Sequence, residues 1–281
     1  MSRIAYVNGA YVPLTAATVS IQDRGFQFAD SIYEVWAVRD ERLFDATEHM
    51  ARLQRSLTEM RLAAPLSERA LWAVIRETIR RNRVRDGIVY VQISRGAANR
   101  DHVFPPPGTK PTLVVTAKNL DHRAIAKRAE TGVSVITLPE TRWARRDIKS
   151  TNLLPNALAR QQAKEEGAFE AWFVDAEGLV TEGTSSNAWI VDADGVIRTR
   201  ALSNDLLHGV TRASLIRIAR ERQMKVEERA FTPAEAKAAR EAFISAASNP
   251  AVPVIAIDGA TIGDGRPGPV AQALRAAYLG A

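Results

Sequence analysis

The chain has 281 residues, 46% hydrophobic and 25% charged, which is the balance of a soluble globular protein with room for one large domain or two ordinary ones. Its net charge is +6, carried by 31 Arg and 7 Lys, and it has no cysteine, which excludes disulfides, thiolate metal sites and a cysteine nucleophile. No apolar run approaches the roughly 20 residues that span a bilayer, and MSRIAYVNGAYVPL lacks an apolar leader, so no membrane partner and a cytoplasmic location are expected.

In chain order, Asn8-Gly9 between IAYV and AYV signals a two-residue hairpin. Tyr33 to Val38 and Leu43-Phe44 predict a second hairpin, closed by Asp40-Glu41. A helix over Glu48 to Arg61 puts Met50, Leu53, Leu57 and Met60 on one face. Ser67 can cap the next helix, whose periodic Leu71, Val74, Ile75 and Ile79 run into Arg80, Arg81, Arg83 and Arg85. Such a basic cluster is one footprint of nucleic-acid binding. Here it ends a helix, where cations complement the dipole, and no nucleic-acid motif accompanies it; no nucleic-acid partner is expected. Strands at Ile88 to Ser94 and Leu113 to Thr116 flank a proline-rich loop, Phe104 to Pro111.

The polar stretch Asn119 to Arg123 predicts a division into domains over 1–119 and 124–281, with a linker at 120–123. A strand (Val133 to Thr137) and a helix opened near Pro155 and closed by Gly167 follow. Hairpins turn at Asp175 to Gly178 and at Asp192 to Gly195. Helices begin near Thr211 and at Thr232-Pro233, where Glu235 completes a capping box. A strand over Val252 to Ile257 and a helix over Val270 to Tyr278 end the chain. Strands and helices mix without regular βαβ alternation, so an α+β class is expected rather than a doubly wound fold. Gly263, Gly265 and Gly268 match G-x-G-x-x-G but lie too near the C-terminus for a dinucleotide unit, and read as a turn. His49, His102, His122 and His208 have no metal-ligand spacing, and no metal is expected.

Three segments carry chemistry. In WARRDIKSTNLLPN, Lys149 ends an apparent strand and precedes a helix among Ile148, Leu153 and Leu154. A lysine there is ordinarily a snorkelling surface residue, whereas a partly desolvated amine can form a Schiff base. Thr181 to Asn187 (TEGTSSN) is rich in hydroxyls and backbone N–H groups, and His208 to Arg212 (HGVTR) opens a helix whose N-terminus suits a phosphate. Each can also be a plain capped turn. Glu182 beside them has the carboxylate that a pyridine nitrogen requires in a pyridoxal-phosphate site. In the loop Arg95 to His102, Arg100 and His102 are spaced to point the same way and suit a carboxylate trap, the alternative being a surface loop.

Together with DRGFQFADSIYEV, EHMARL and RGAANRDHVFP, these segments resemble the fold-type IV pyridoxal-phosphate enzymes over nearly the whole chain. The resemblance implies two α+β domains, a smaller N-terminal α/β sandwich and a larger C-terminal domain with a mixed barrel-like sheet. It implies the cofactor between them, in a homodimer whose active sites take loops from both subunits. It makes Lys149 the cofactor's lysine and proton carrier, and Glu182 the partner of the ring nitrogen. Arg52, Thr184, Ser185, Ser186, Val210 and Thr211 fall in or near the phosphate cup, and Leu207 packs on the ring.

The pattern is closest to the D-amino-acid aminotransferase branch, whose Arg-x-His pair corresponds to Arg100 and His102, binding the substrate carboxylate with Tyr33. Tyr-Glu-Val at Tyr33 to Val35 also fits that branch, where branched-chain enzymes carry Tyr-Glu-Gly-x-Arg. Transfer from a D-amino acid to 2-oxoglutarate or pyruvate, in two half-reactions with ping-pong kinetics, is the implied activity. Alternatives are an L-branched-chain aminotransferase, an (R)-amine transaminase, aminodeoxychorismate lyase or a non-catalytic basic binding protein. One departure is Ala246-Ala247, where the D-enzymes often have Ser and Thr.

Overall fold

The computed structural model describes residues 3–280, and these cluster into two compact units. Unit 1 runs to Asp121 and takes in Ile148–Asn152; unit 2 holds His122–Asp147 and the chain from Leu153 onward. Among the described residues no helix is long and apolar enough to cross a membrane.

Unit 1 is one antiparallel six-stranded sheet, covered by two helices. Its elements are β1 (Ile4–Val7), β2 (Ala10–Pro13), α1 (Arg24–Phe28), β3 (Ser31–Arg39), β4 (Arg42–Leu43), α2 (Ala46–Glu59), α3 (Glu68–Asn82), β5 (Gly87–Ser94) and β6 (Thr112–Asn119). The strand order is β2-β1-β6-β5-β3-β4. The first hairpin forms because Asn8 and Gly9 accept positive φ, 46° and 103°, as a twist-matched two-residue turn demands. Strand alternation then sorts the faces. Trp36 and Val38 of β3 with Val89, Val91 and Ile93 of β5 are buried, as are Leu53, Leu57, Leu71 and Ile75 of the covering helices. Tyr33 and Val35 lie on the other face with Tyr90 and Gln92, in a register pairing Tyr33 with Gln92 and Val35 with Tyr90. Ser67 caps α3 as expected, its hydroxyl accepting from Ala70 N, and Arg80 and Arg81 of the last turn pair with Glu77.

Unit 2 contains α4 (His122–Thr131), β7 (Val133–Pro139), α5 (Leu154–Glu165), β8 (Glu170–Val174), β9 (Val180–Gly183), β10 (Asn187–Val191), β11 (Ile197–Thr199), α6 (Val210–Glu221), β12 (Val226–Glu228), α7 (Pro233–Lys237), β13 (Glu241–Ala246), β14 (Asn249–Ile257), β15 (Ala260–Thr261) and α8 (Pro269–Leu279). Its mixed sheet runs β12-β11-β10-β13-β14-β7-β8-β9, with β15 on β14. The last strand of that path, β9, also lies against β10, so the sheet curls back on itself. Trp172, Val180, Ile190, Phe231, Ile244 and Val254 are among the side chains that fill the curl. On the outside α5 packs Ala159 and Ala163 against Ile136, Ala171 and Phe173. Thr232 and Glu235 form the expected capping box of α7.

Two elements differ from the sequence reading. Helix α4 begins at His122, inside the polar stretch read as a linker; only Ile125 and Ala129 are buried on it, too thin a stripe to signal a helix. Lys149 ends no strand. Its segment makes one isolated bridge, Ser150 with Ile32, which depends on a partner more than a hundred residues away.

Candidate active site

The Lys149 segment belongs to unit 1 because it pairs with the start of β3. Tyr33 N donates to Lys149 O at 2.9 Å and Thr151 N to Ser31 O at 3.0 Å, while the Thr151 and Ser31 hydroxyls share a short hydrogen bond. That pairing fixes the half-buried Lys149 with Nζ 4.2 Å from the centre of the Tyr33 ring. Tyr33 in turn stacks on Tyr90, with ring centres 5.5 Å apart and planes at 27°. The Tyr90 hydroxyl donates to Gln92 at 2.8 Å, and burial pushes its pKa well above the ordinary value. The structure thus brings together Lys149 and Tyr33, two of the residues expected in the site.

Arg52 is held by a buried carboxylate. Glu34, the next residue along β3, points to the opposite face and is fully buried. Arg52 grips it with Nε and Nη2 at 2.9 and 2.6 Å, and His49 Nδ1 lies 2.9 Å from the same carboxylate. Burial would raise the Glu34 pKa, but the Arg52 charge and the His49 hydrogen bond hold it well below the usual carboxylate range. Arg52 is therefore tied to Glu34 on the packed face of the sheet.

Arg100 and His102 are exposed, and both lie against Phe28, at 5.2 Å from guanidinium to ring centre and 5.6 Å between ring centres. Their loop is pinned from beneath by buried ion pairs that sequence reading missed. Asp30 takes Arg24 at 2.8 Å and Arg95 at 2.7 Å. Arg24 also donates to Asp101 O at 2.6 Å, and Arg95 stacks 3.6 Å from the Phe104 ring centre. Among the described residues neither Arg100 nor His102 hydrogen-bonds to Tyr33 or Lys149.

In unit 2 the buried Glu182 ends up at the convergence of three donors. Arg142 Nη1 lies 2.6 Å from Oε1, Asn187 Nδ2 lies 3.1 Å from Oε2, and Leu207 N lies 3.1 Å from both oxygens. Asn187 also donates to Leu207 O at 3.0 Å, so one side chain ties the carboxylate to the approach of α6. That helix starts at Val210 with Gly209 as a cap residue that has no side chain to offer the first-turn N–H groups. A Cβ at Gly209 would stand 2.0 Å from Asn187 Oδ1, so the close approach requires glycine. Thr211 is 3% exposed, and among the described residues its Oγ1 has no hydrogen-bond partner. Nearly all buried hydroxyls are paired, so an unpartnered one at an uncapped helix start suits a phosphate.

The hydroxyls of Thr184, Ser185 and Ser186 share one buried partner. Thr184 Oγ1, Ser185 Oγ and Ser186 Oγ all reach the buried carboxylate of Glu170, at 2.9, 2.8 and 2.5 Å, as does Ser185 N at 2.7 Å. Glu170 opens an otherwise apolar strand, EAWFV, and nothing in that pattern announces its role. Ser245 is likewise used, accepting from Trp189 Nε1 at 2.9 Å, and Ala246 and Ala247 stand at the β13–β14 turn. Among the described residues no three His, Asp or Glu side chains gather as metal ligands.

Residues 31–257 match the family described as Amino-transferase class IV. D-alanine aminotransferase of Bacillus licheniformis is 39% identical over 270 residues, 96% of this chain and 94% of that protein. The Staphylococcus haemolyticus enzyme of the same name is 38% identical over 273 residues, 97% and 95% of the two chains. Among solved structures, the branched-chain amino acid aminotransferase of Escherichia coli superposes with a TM-score of 0.93 at 26% identity, covering 100% of this chain and 94% of that one. The branched-chain enzyme of T.th., solved with pyridoxamine 5′-phosphate, gives 0.89 at 30% identity, over 99% and 93%. On this near full-length likeness, the chain belongs to the class IV aminotransferases, with their fold-type IV architecture.

Proposed function

We propose that the protein moves the amino group of a D-amino acid such as D-alanine to a 2-keto acid, 2-oxoglutarate or pyruvate, with pyridoxal phosphate as cofactor. The carrying observation is the identity of 39% and 38% to D-alanine aminotransferases over nearly the whole chain. The pyridoxamine phosphate named with the T.th. enzyme supports the cofactor, and so does the chemistry here: an amine beside an aromatic ring, a buried carboxylate, and an uncapped helix start with an unpartnered hydroxyl.

In this reading Lys149 holds the cofactor covalently and carries the proton to and from the substrate Cα. When bound, pyridoxal phosphate supplies the electron-withdrawing ring that stabilises the charge left on Cα. Glu182 holds the proton on the ring nitrogen, and Leu207 packs on the ring. Val210 and Thr211 take the phosphate through first-turn N–H groups and the free hydroxyl, with Arg52, Thr184, Ser185 and Ser186 nearby. Tyr33, Arg100 and His102 hold the substrate carboxylate. We further propose a cytoplasmic homodimer, consistent with Ile21, Phe26 and Val103 of unit 1 standing 72–79% exposed as large apolar side chains.

The test is a product assay. Purified protein is mixed with D-alanine, L-leucine or (R)-1-phenylethylamine, each with 2-oxoglutarate. Keto product is expected from D-alanine. Product from L-leucine and none from D-alanine would replace the proposal with the branched-chain reading.

A further inference from the structure

Arg142 does more than touch Glu182. Its side chain is 7% exposed and shared between two carboxylates. Nη1 lies 2.6 Å from Glu182 Oε1, while Nη2 and Nε lie 2.7 and 3.0 Å from the two oxygens of Glu140. The guanidinium also stacks 4.5 Å from the Phe173 ring centre, which fixes its plane. Glu140 is itself held by Thr181 Oγ1 at 2.9 Å and by Arg146 at 3.5 Å, and Arg146 continues to Asp205 at 3.4 Å. Burial opposes the charge on both partners. Even so, the Arg142 hydrogen bonds and field hold Glu140 below its ordinary pKa, and Glu182 and Glu140 hold Arg142 above its own.

A proton between a buried carboxylate and a pyridine nitrogen has two resting places. On nitrogen it makes an ion pair; on oxygen it leaves two neutral groups. Burial favours the neutral pair, and each donor aimed at the carboxylate favours the ionic one. The neutral donors Asn187 and Leu207 N contribute modestly, whereas a charged donor contributes about twice as much as a neutral one. A lone cation so near would also repel a protonated ring. Glu140 removes that objection, because it balances the Arg142 charge from the far side.

We propose that Arg142, balanced by Glu140, is a positioning residue that keeps Glu182 ionised and so keeps the proton on the cofactor's ring nitrogen. This rests on the assignment of Glu182 to that nitrogen, and the experiment separates the two. Enzyme reconstituted with pyridoxal phosphate labelled with ¹⁵N in the ring reports nitrogen protonation directly by its chemical shift. Wild type is expected to show a protonated nitrogen, and Arg142→Gln, which keeps hydrogen-bonding capacity but loses the charge, a deprotonated one. Its kcat should fall roughly ten- to a hundred-fold with KM little changed, the loss of one charge-assisted hydrogen bond. Arg142→Lys, which keeps the charge without the fork, should retain the protonated signal. A merely structural role would leave the shift alone, so a wild-type signal in Arg142→Gln overturns the proposal. If Glu182→Gln also gives the wild-type signal, the assignment of Glu182 is what fails. Should Arg142→Gln not take up cofactor, Arg142→Lys decides, and a deprotonated ring there sinks the idea.

Discussion

Arg100 and His102 are charged or chargeable groups on an exposed loop, yet both rest against one ring, Phe28, above the buried Arg24–Asp30–Arg95 cluster. Their backbone is thus anchored by groups that water cannot easily displace, while the side chains stay accessible. That suits recognition of a carboxylate more than structural support. If Arg100 grips the substrate carboxylate, Arg100→Leu should lower kcat/KM for D-alanine roughly ten- to a hundred-fold. The absorbance of bound cofactor should stay as in wild type, and slow reaction with amines lacking a carboxylate should be unaffected. D-alanine kinetics that survive the substitution would remove Arg100 from the substrate site. Residue types make this loop a candidate, since Arg and His two apart in an extended loop suit a carboxylate, and the resemblance to the D-amino-acid branch singles it out from a plain surface loop. They do not point to Glu34, Arg142 or Glu170. Each is a buried charge with at least one partner distant in the chain, Arg142 and Glu182 being 40 positions apart, and burial of charge leaves no periodic trace.

At the scale of elements, the N-terminus of α6 is positioned by a clamp rather than by its own cap. Leu207 N reaches Glu182, Leu207 O receives Asn187, and Gly209 slides under the Asn187 amide. Gly209→Ala should therefore cost more than helix propensity. A methyl group 2.0 Å from Asn187 Oδ1 must push either that side chain or the helix start away. Weaker binding of pyridoxal phosphate by the apoenzyme is expected, measured by fluorescence titration, together with loss of overall stability of about 1–3 kcal/mol from the forced overpacking. Unchanged cofactor affinity would show that α6 does not contribute to holding it. Periodicity and capping make α2, α3, α6 and α7 legible in the sequence, since those signals are local. Long-range pairing is not local, so the curl of the unit 2 sheet enters the sequence reading only through the resemblance to fold-type IV enzymes, and the bridge that carries Lys149 does not enter it at all.

For the whole molecule, the resemblance to fold-type IV enzymes makes a statement about who supplies what. If Arg100 serves the Lys149 of a second copy, an inactive and an impaired homodimer should rescue each other. Lys149→Ala and Arg100→Leu proteins, dissociated and reassociated together, would give hybrids with one doubly damaged site and one intact site. Statistical mixing leaves about a quarter of sites whole in a two-fold dimer, and activity toward D-alanine should return to about that level. No recovery in hybrids verified by mass would mean that each chain uses its own loop.

The five residues Ile148–Asn152 leave unit 2 to join β3 and then return. During synthesis this has a temporal meaning. The ribosome releases the residues of β1 to β6 well before it reaches Lys149, at about 5–20 residues per second. Until then the stretch from Ser31 to Tyr33 has bare amides and carbonyls where Thr151 and Lys149 later bind. A nascent chain in that interval carries an open strand edge, a template for the wrong neighbour. The peptide that seals the edge is the same one that carries Lys149, so placing that amine and closing this stretch of open edge are one event.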